Sequence, residues 1–150
     1  MSRRIYLLNG PNMNLLGQRE PAIYGHHTLA DVESSCRALA QHHGMELICH
    51  QTNAEHEMIA WLHEARRSDG IVINPAAFCY HSVPVLDALK ACECPVIEVH
   101  ISNLYRREEP WRRQTILAAA ATGVISGLGI DGYRLAIEHL AQLHRPASAQ

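Results

Sequence analysis

An α/β three-layer sandwich built on a five-stranded parallel sheet is the fold class this sequence predicts. Short apolar, β-branched runs alternate with segments of helical periodicity, and turn residues separate the two kinds, which is the pattern of βαβ units. The chain has 150 residues, 47% of them hydrophobic, enough for one core, so residues 1–150 are expected to form a single domain.

The first strand is expected over about residues 4–8, where Ile5-Tyr6-Leu7-Leu8 reads as buried. Thr28-Leu-Ala-Asp31 then opens a helix in the manner of a capping box. Leu29, Val32, Cys36, Leu39 and Ala40 recur at helical spacing until Gly44 stops it. A second strand falls at about 46–50 and a helix from about Ala54 to Arg67, with Met58, Ile59, Leu62 and Ala65 on one side. The third strand, about 71–74, precedes a helix from about Ser82 to Ala91 that tolerates Pro84 in its first turn. Strands at about 95–99 and 123–128 follow, then a helix from about Asp131 to His144 with Leu135, Ala136, Leu140 and Leu143 inward. Residues from about 145 to 150 read as a flexible tail.

Five strands with short crossovers suggest a flavodoxin-like arrangement, in which the ends of the first, third and fourth strands share the rim where open α/β sheets bind ligands. Those ends carry Asn9 to Gly25, Asn74 to His81, and Glu98 to Asn103. A guanidinium, a phenol, an imidazole and several amides are thereby offered to one crevice.

Composition excludes several classes. A formal charge of −2 with scattered arginine pairs leaves no basic footprint for nucleic acid. The apolar run after Met-Ser-Arg-Arg is too short for a secretory segment or a membrane span, which points to a soluble cytoplasmic protein. The five cysteines read as reduced thiols, and Cys92 and Cys94 are one residue apart where a redox pair has two between. None of the eleven histidines sits at i, i+4 with a glutamate between. His56 and His63 share a helix face without further ligands, so no metal is expected.

The loop from Asn9 to Gly25 carries more chemistry than a connection needs, with Arg19 and Tyr24 as its working pair. A phenolate near neutral pH needs about 4 kcal/mol of stabilisation, because phenols titrate near ~10. One guanidinium at roughly 4 Å supplies about that much at an effective dielectric of about 20. The same two side chains also suit a packed surface loop.

Asn9-Gly-Pro-Asn12 through Tyr24-Gly25, Glu98-Val-His100-Ile-Ser-Asn103, and Gly123 to Gly129 followed by Asp131-Gly-Tyr133 resemble the type II 3-dehydroquinate dehydratases (3-dehydroquinases). Weaker echoes are Gln51-Thr-Asn53-Ala-Glu and Trp61-Leu-His-Glu64-Ala, and the likeness covers nearly the whole chain. The resemblance implies a lyase that removes water in the trans sense from 3-dehydroquinate, through an enolate, to give 3-dehydroshikimate. It further implies a role in the shikimate pathway of aromatic amino acid biosynthesis or in quinate catabolism, without metal or cofactor. Tyr24 is then the base, its phenolate held by Arg19, and Asn12 orients a water or meets the enolate oxygen. His100 is the general acid, and Glu98, on the same side of an extended strand, holds its imidazolium. Asn74, the backbone amides of Ile101 and Ser102, and Arg112 grip the substrate. Asp87 matches an acid that reaches a neighbouring subunit's site, which implies a dodecamer built from trimers. Read without the resemblance, Asn74 serves equally as a turn former and Arg112 as a surface cation.

The chain departs from the family pattern in two places. Tyr80 stands where the family has histidine, His81 follows one place later, and Leu86 replaces an arginine. The segment from Arg106 to Thr115 is one residue longer, so the anchor is Arg112 or, alternatively, Arg113. These changes leave open a homologue that binds another small polyhydroxy acid without turnover. An imine route is disfavoured, since the only lysine, Lys90, lies near a helix end where it is solvated. A receiver domain would need acids where Asn9 and Asn74 stand, and a flavin carrier would need a phosphate cradle after Leu8.

Overall fold

The computed structural model describes residues 2–145, so the stretch read as a tail lies, apart from Arg145, outside the described residues. Strands β1 (Arg3–Asn9), β2 (Met45–Gln51), β3 (Gly70–Asn74), β4 (Val96–His100) and β5 (Gly123–Ser126) pair in parallel in the order β2-β1-β3-β4-β5. This is the flavodoxin-like order, and its topological switch point lies between β1 and β3.

The period-two alternation of each strand divides the core into two layers. Ile5, Leu7, Val72, Ile97 and Val99 face α2 (Leu29–His42) and α6 (Asp131–Leu143), meeting Val32, Cys36, Ala136, Ile137 and Leu140. Tyr6, Leu8, Ile71, Ile73 and Val96 face α3 (Glu55–Ala65) and α5 (Val83–Lys90), meeting Met58, Leu62, Val85 and Leu89.

Local signals hold at the helix ends. Thr28 and Asp31 complete the capping box in both directions, at 3.2 and 2.9 Å. Ser82 caps α5 by accepting from Val85 N at 3.2 Å, with Pro84 in the first turn. The inward stripe of α6 is a correction. Leu135 and Leu143 are exposed, and Tyr133, Ala136, Ile137 and Leu140 are buried instead. These buried positions step by three and four residues from Tyr133; Leu135 falls about 150° from the middle of that stripe and Leu143 about 70°, in the last turn of the helix. Strand β5 is also shorter than the apolar run, because Gly127 turns at φ 95° and donates to the His100 carbonyl at 3.1 Å.

Three segments between the regular elements line the rim of the sheet. Short helices α1 (Pro21–Tyr24) and α4 (Phe78–His81) follow β1 and β3. Beyond β4 the chain makes 3-10 turns at Leu104–Arg106, Pro110–Arg113 and Ile116–Ala120.

Candidate active site

One crevice of about 510 Å³, counting its open mouth, lies over the C-terminal ends of β1, β3 and β4. Asn12, Arg19, Tyr24, Asn74, His100, Ile101, Ser102 and Arg112, all anticipated from the sequence, line it. So do Tyr80 and Arg107. Of the remaining anticipated residues, Glu98 lies buried behind His100, and Asp87 is exposed on α5, away from this chain's own crevice.

The loop after β1 is anchored from β2. Gln51 Nε2 donates to the Gly10 carbonyl at 3.2 Å, and Asn53 Oδ1 accepts from Asn12 N at 2.9 Å. Asn12 itself adopts a left-handed conformation, φ 68°, which asparagine tolerates better than most residues. The Gln51-Thr-Asn53 echo in the sequence is therefore a brace for the loop.

Tyr24 meets two guanidinium groups. Arg19 stacks its Cζ 5.2 Å from the ring centroid and pairs with Glu20 at 3.6 Å. The hydroxyl accepts a hydrogen bond from Arg107 Nη2 at 3.2 Å. The sequence offers one cation for the phenol, Arg19, and the structure places two: Arg19 covers the ring face, and Arg107, from the loop after β4, reaches the oxygen. Burial works against the charge on Arg107, but the bond to Tyr24 and the charges of Tyr24, Tyr80 and Glu20 more than offset it, so its pKa is raised. In the sequence Arg107 is half of a basic pair with Arg106, and nothing local ties it to Tyr24.

Arg113 braces that loop, with Nε donating to the Arg107 carbonyl at 2.7 Å and Nη2 to the Glu108 carbonyl at 3.1 Å. Arg112 is the one that faces the crevice, its Cζ 4.4 Å from the Trp111 ring centroid and 5.8 Å from that of Tyr80. The two rings meet edge to face at 5.1 Å. Burial pushes the Tyr80 phenol up, only partly countered by Arg112 and Arg107, which keeps it a neutral donor. His81 is exposed, with Nδ1 3.2 Å from the Ala77 carbonyl, and stays outside the crevice. Leu86 packs against the second core layer.

On β4, Glu98 and His100 point to the same face as expected, with Glu98 Oε2 2.5 Å from His100 Nε2 and both residues at most 5% exposed. With Nε2 spent on Glu98, Nδ1 is left for the crevice. The other oxygen, Glu98 Oε1, has no partner among the described residues. Ser126 holds the turn that follows, bonding the Ser102 carbonyl at 3.2 Å and Leu104 N at 3.1 Å.

Among the described residues no group of three or more histidine, cysteine, aspartate or glutamate side chains is placed to hold a metal ion, and all five cysteines are unpaired. No helix among them is long and apolar enough to cross a membrane.

Comparison with known proteins gives one answer. The model of the family described as Dehydroquinase class II matches residues 3–141. The chain is 57% identical over 143 residues to 3-dehydroquinate dehydratase 2 of Agrobacterium fabrum, covering 95% of this chain and 97% of that protein. It is 52% identical over 150 residues to 3-dehydroquinate dehydratase 2 of Pseudomonas putida, covering 99% and 100%. The crystal structure of type II dehydroquinase from Propionibacterium acnes superposes with a TM-score of 0.91 at 41% identity, covering 95% of this chain and 98% of that one. The chain belongs to the class II dehydroquinase family.

Proposed function

We propose that the protein is a type II 3-dehydroquinate dehydratase, which removes water from 3-dehydroquinate to give 3-dehydroshikimate. The observation that carries this is the convergence on one crevice of a guanidinium-bonded phenol, Tyr24, and a carboxylate-backed imidazole, His100. Tyr24, as phenolate, takes the proton from the carbon beside the ketone, and the electron pair moves onto the ketone oxygen as an enolate. Asn12 meets that oxygen directly or through a water. His100, as imidazolium, then gives a proton to the departing hydroxyl, the enolate collapses, the carbon–oxygen bond breaks and water leaves. Glu98 stabilises the imidazolium before transfer. Net, one C–H and one C–O bond are lost, and one C=C bond and one water are formed.

Asn74, the amides of Ile101 and Ser102, and Arg112 bind the substrate's hydroxyl and carboxylate groups. Asp87, exposed on α5, serves a neighbouring subunit's crevice in a dodecamer built from trimers, which sedimentation tests directly. The step belongs to the shikimate pathway or to quinate catabolism, and five unpaired cysteines suit a reducing cytoplasm. Purified protein mixed with 3-dehydroquinate is expected to develop the ultraviolet absorbance of the enone product. No signal at high enzyme concentration would overturn the assignment in favour of a polyhydroxy-acid binder.

A further inference from the structure

Behind the crevice wall, three buried polar side chains from distant parts of the chain form one hydrogen-bonded line. Ala76 N donates to Asn74 Oδ1 at 3.2 Å, Asn74 Nδ2 donates to the Tyr133 hydroxyl at 2.8 Å, and that hydroxyl donates to Asn9 Oδ1 at 2.6 Å. Asn9 and Tyr133 are 0% exposed and Asn74 is 4% exposed.

The direction of this line is set at one end. A backbone N–H can only donate, so Ala76 must face the carbonyl oxygen of Asn74, and the amide nitrogen is sent to Tyr133. The Tyr133 oxygen thereby accepts, and its own proton is committed to Asn9. Ala76 holds that position at φ 49°, a left-handed conformation that alanine seldom adopts, so the turn after β3 is itself specified. Burial pushes the Tyr133 phenol far up, and it remains a donor at any working pH. Among the described residues Asn9 Nδ2 is buried without a partner, so the network is kept although that nitrogen bonds nothing else in it. Without the Tyr133 hydroxyl, the nitrogen of Asn74 would retain only the Met13 thioether, 3.6 Å away.

We propose that Tyr133 is a positioning residue for substrate binding: from α6, outside the crevice, its hydroxyl accepts from the Asn74 amide nitrogen and holds in place the side chain whose orientation Ala76 N sets. This rests on the dehydratase reading and deepens it by assigning a residue whose effect passes through Asn74.

The test is a double-mutant cycle of Tyr133→Phe and Asn74→Ala, with KM and kcat for 3-dehydroquinate measured on folded protein and the thermal midpoint recorded in parallel. Tyr133→Phe is expected to raise KM about tenfold, the worth of one hydrogen bond, with a smaller change in kcat, and to add nothing to KM in the Asn74→Ala background. An equal KM increase in both backgrounds, or a lowered thermal midpoint with KM unchanged, would overturn the proposal. If Tyr133→Phe does not fold, Asn9→Ala removes the acceptor at the far end of the line. It should raise KM only while Asn74 is present, and an increase independent of Asn74 would equally overturn the proposal. Inactive wild-type protein would sink the dehydratase reading itself, a result distinct from an active wild type with an uncoupled cycle.

Discussion

Arg107 donates a 3.2 Å hydrogen bond to the hydroxyl of Tyr24, 83 residues away in sequence, while Arg19 lies 5.2 Å from the centroid of the same ring. The phenol is thus held between one cation at its oxygen and another at its face. The guanidinium at the oxygen is placed to meet negative charge that develops there during proton transfer.

That hydrogen bond predicts a loss of activity. Arg107→Ala is expected to lower kcat/KM about tenfold or more, whereas Arg107→Lys, which keeps the charge without the planar fork, lowers it less. Steady-state kinetics on the two variants checks this, and an unchanged kcat/KM in Arg107→Ala would remove that residue from the mechanism.

Tyr24→Phe and His100→Ala are each expected to lower kcat at least about 100-fold, the usual share of a general base or acid. Far-ultraviolet circular dichroism and the thermal midpoint should show both variants folded. Near-normal turnover in either would contradict the role given to it.

Glu98→Gln keeps the shape of the buried pair but removes the counter-charge 2.5 Å from His100. The expected outcome is a loss in kcat of about tenfold or more with KM little changed, because the imidazolium is needed at proton transfer rather than at binding.

Arg112 rests against both Trp111 and Tyr80, and a cation–π contact at an exposed site is worth about 0.5–1 kcal/mol. Trp111→Leu is therefore expected to raise KM about two- to fivefold with kcat nearly unchanged. Arg112→Ala should raise KM well beyond that, while Arg113→Ala, which frees the Arg107 carbonyl, should show its main effect in kcat.

Gly10 marks the closest approach of the loops after β1 and β3. A Cβ there would lie 2.2 Å from the Pro75 carbonyl oxygen, and Gly10 N donates to the Asn74 carbonyl at 2.8 Å. Gly10→Ala must force the two loops apart, at a cost of about 1–3 kcal/mol or more, and lower both the thermal midpoint and the activity.

What the chain by itself determined was local. The alternation of apolar runs and helical spacing marks five strands and four long helices, the Thr28–Asp31 box marks the start of α2, and the two-residue step from Glu98 to His100 puts both on one face of β4. These properties depend on residues a few positions apart, and backbone periodicity carries them. The tertiary structure alone decided that Arg107 and not Arg19 reaches the Tyr24 oxygen, that Tyr80 and Arg112 face the crevice while His81 and Arg113 turn away, and that Tyr133 ties Asn74 to Asn9. Each is a choice among chemically equal side chains on irregular loops or separate elements. Ring stacking, backbone carbonyls and glycine turns set where those loops close, and no spacing in the sequence records the result.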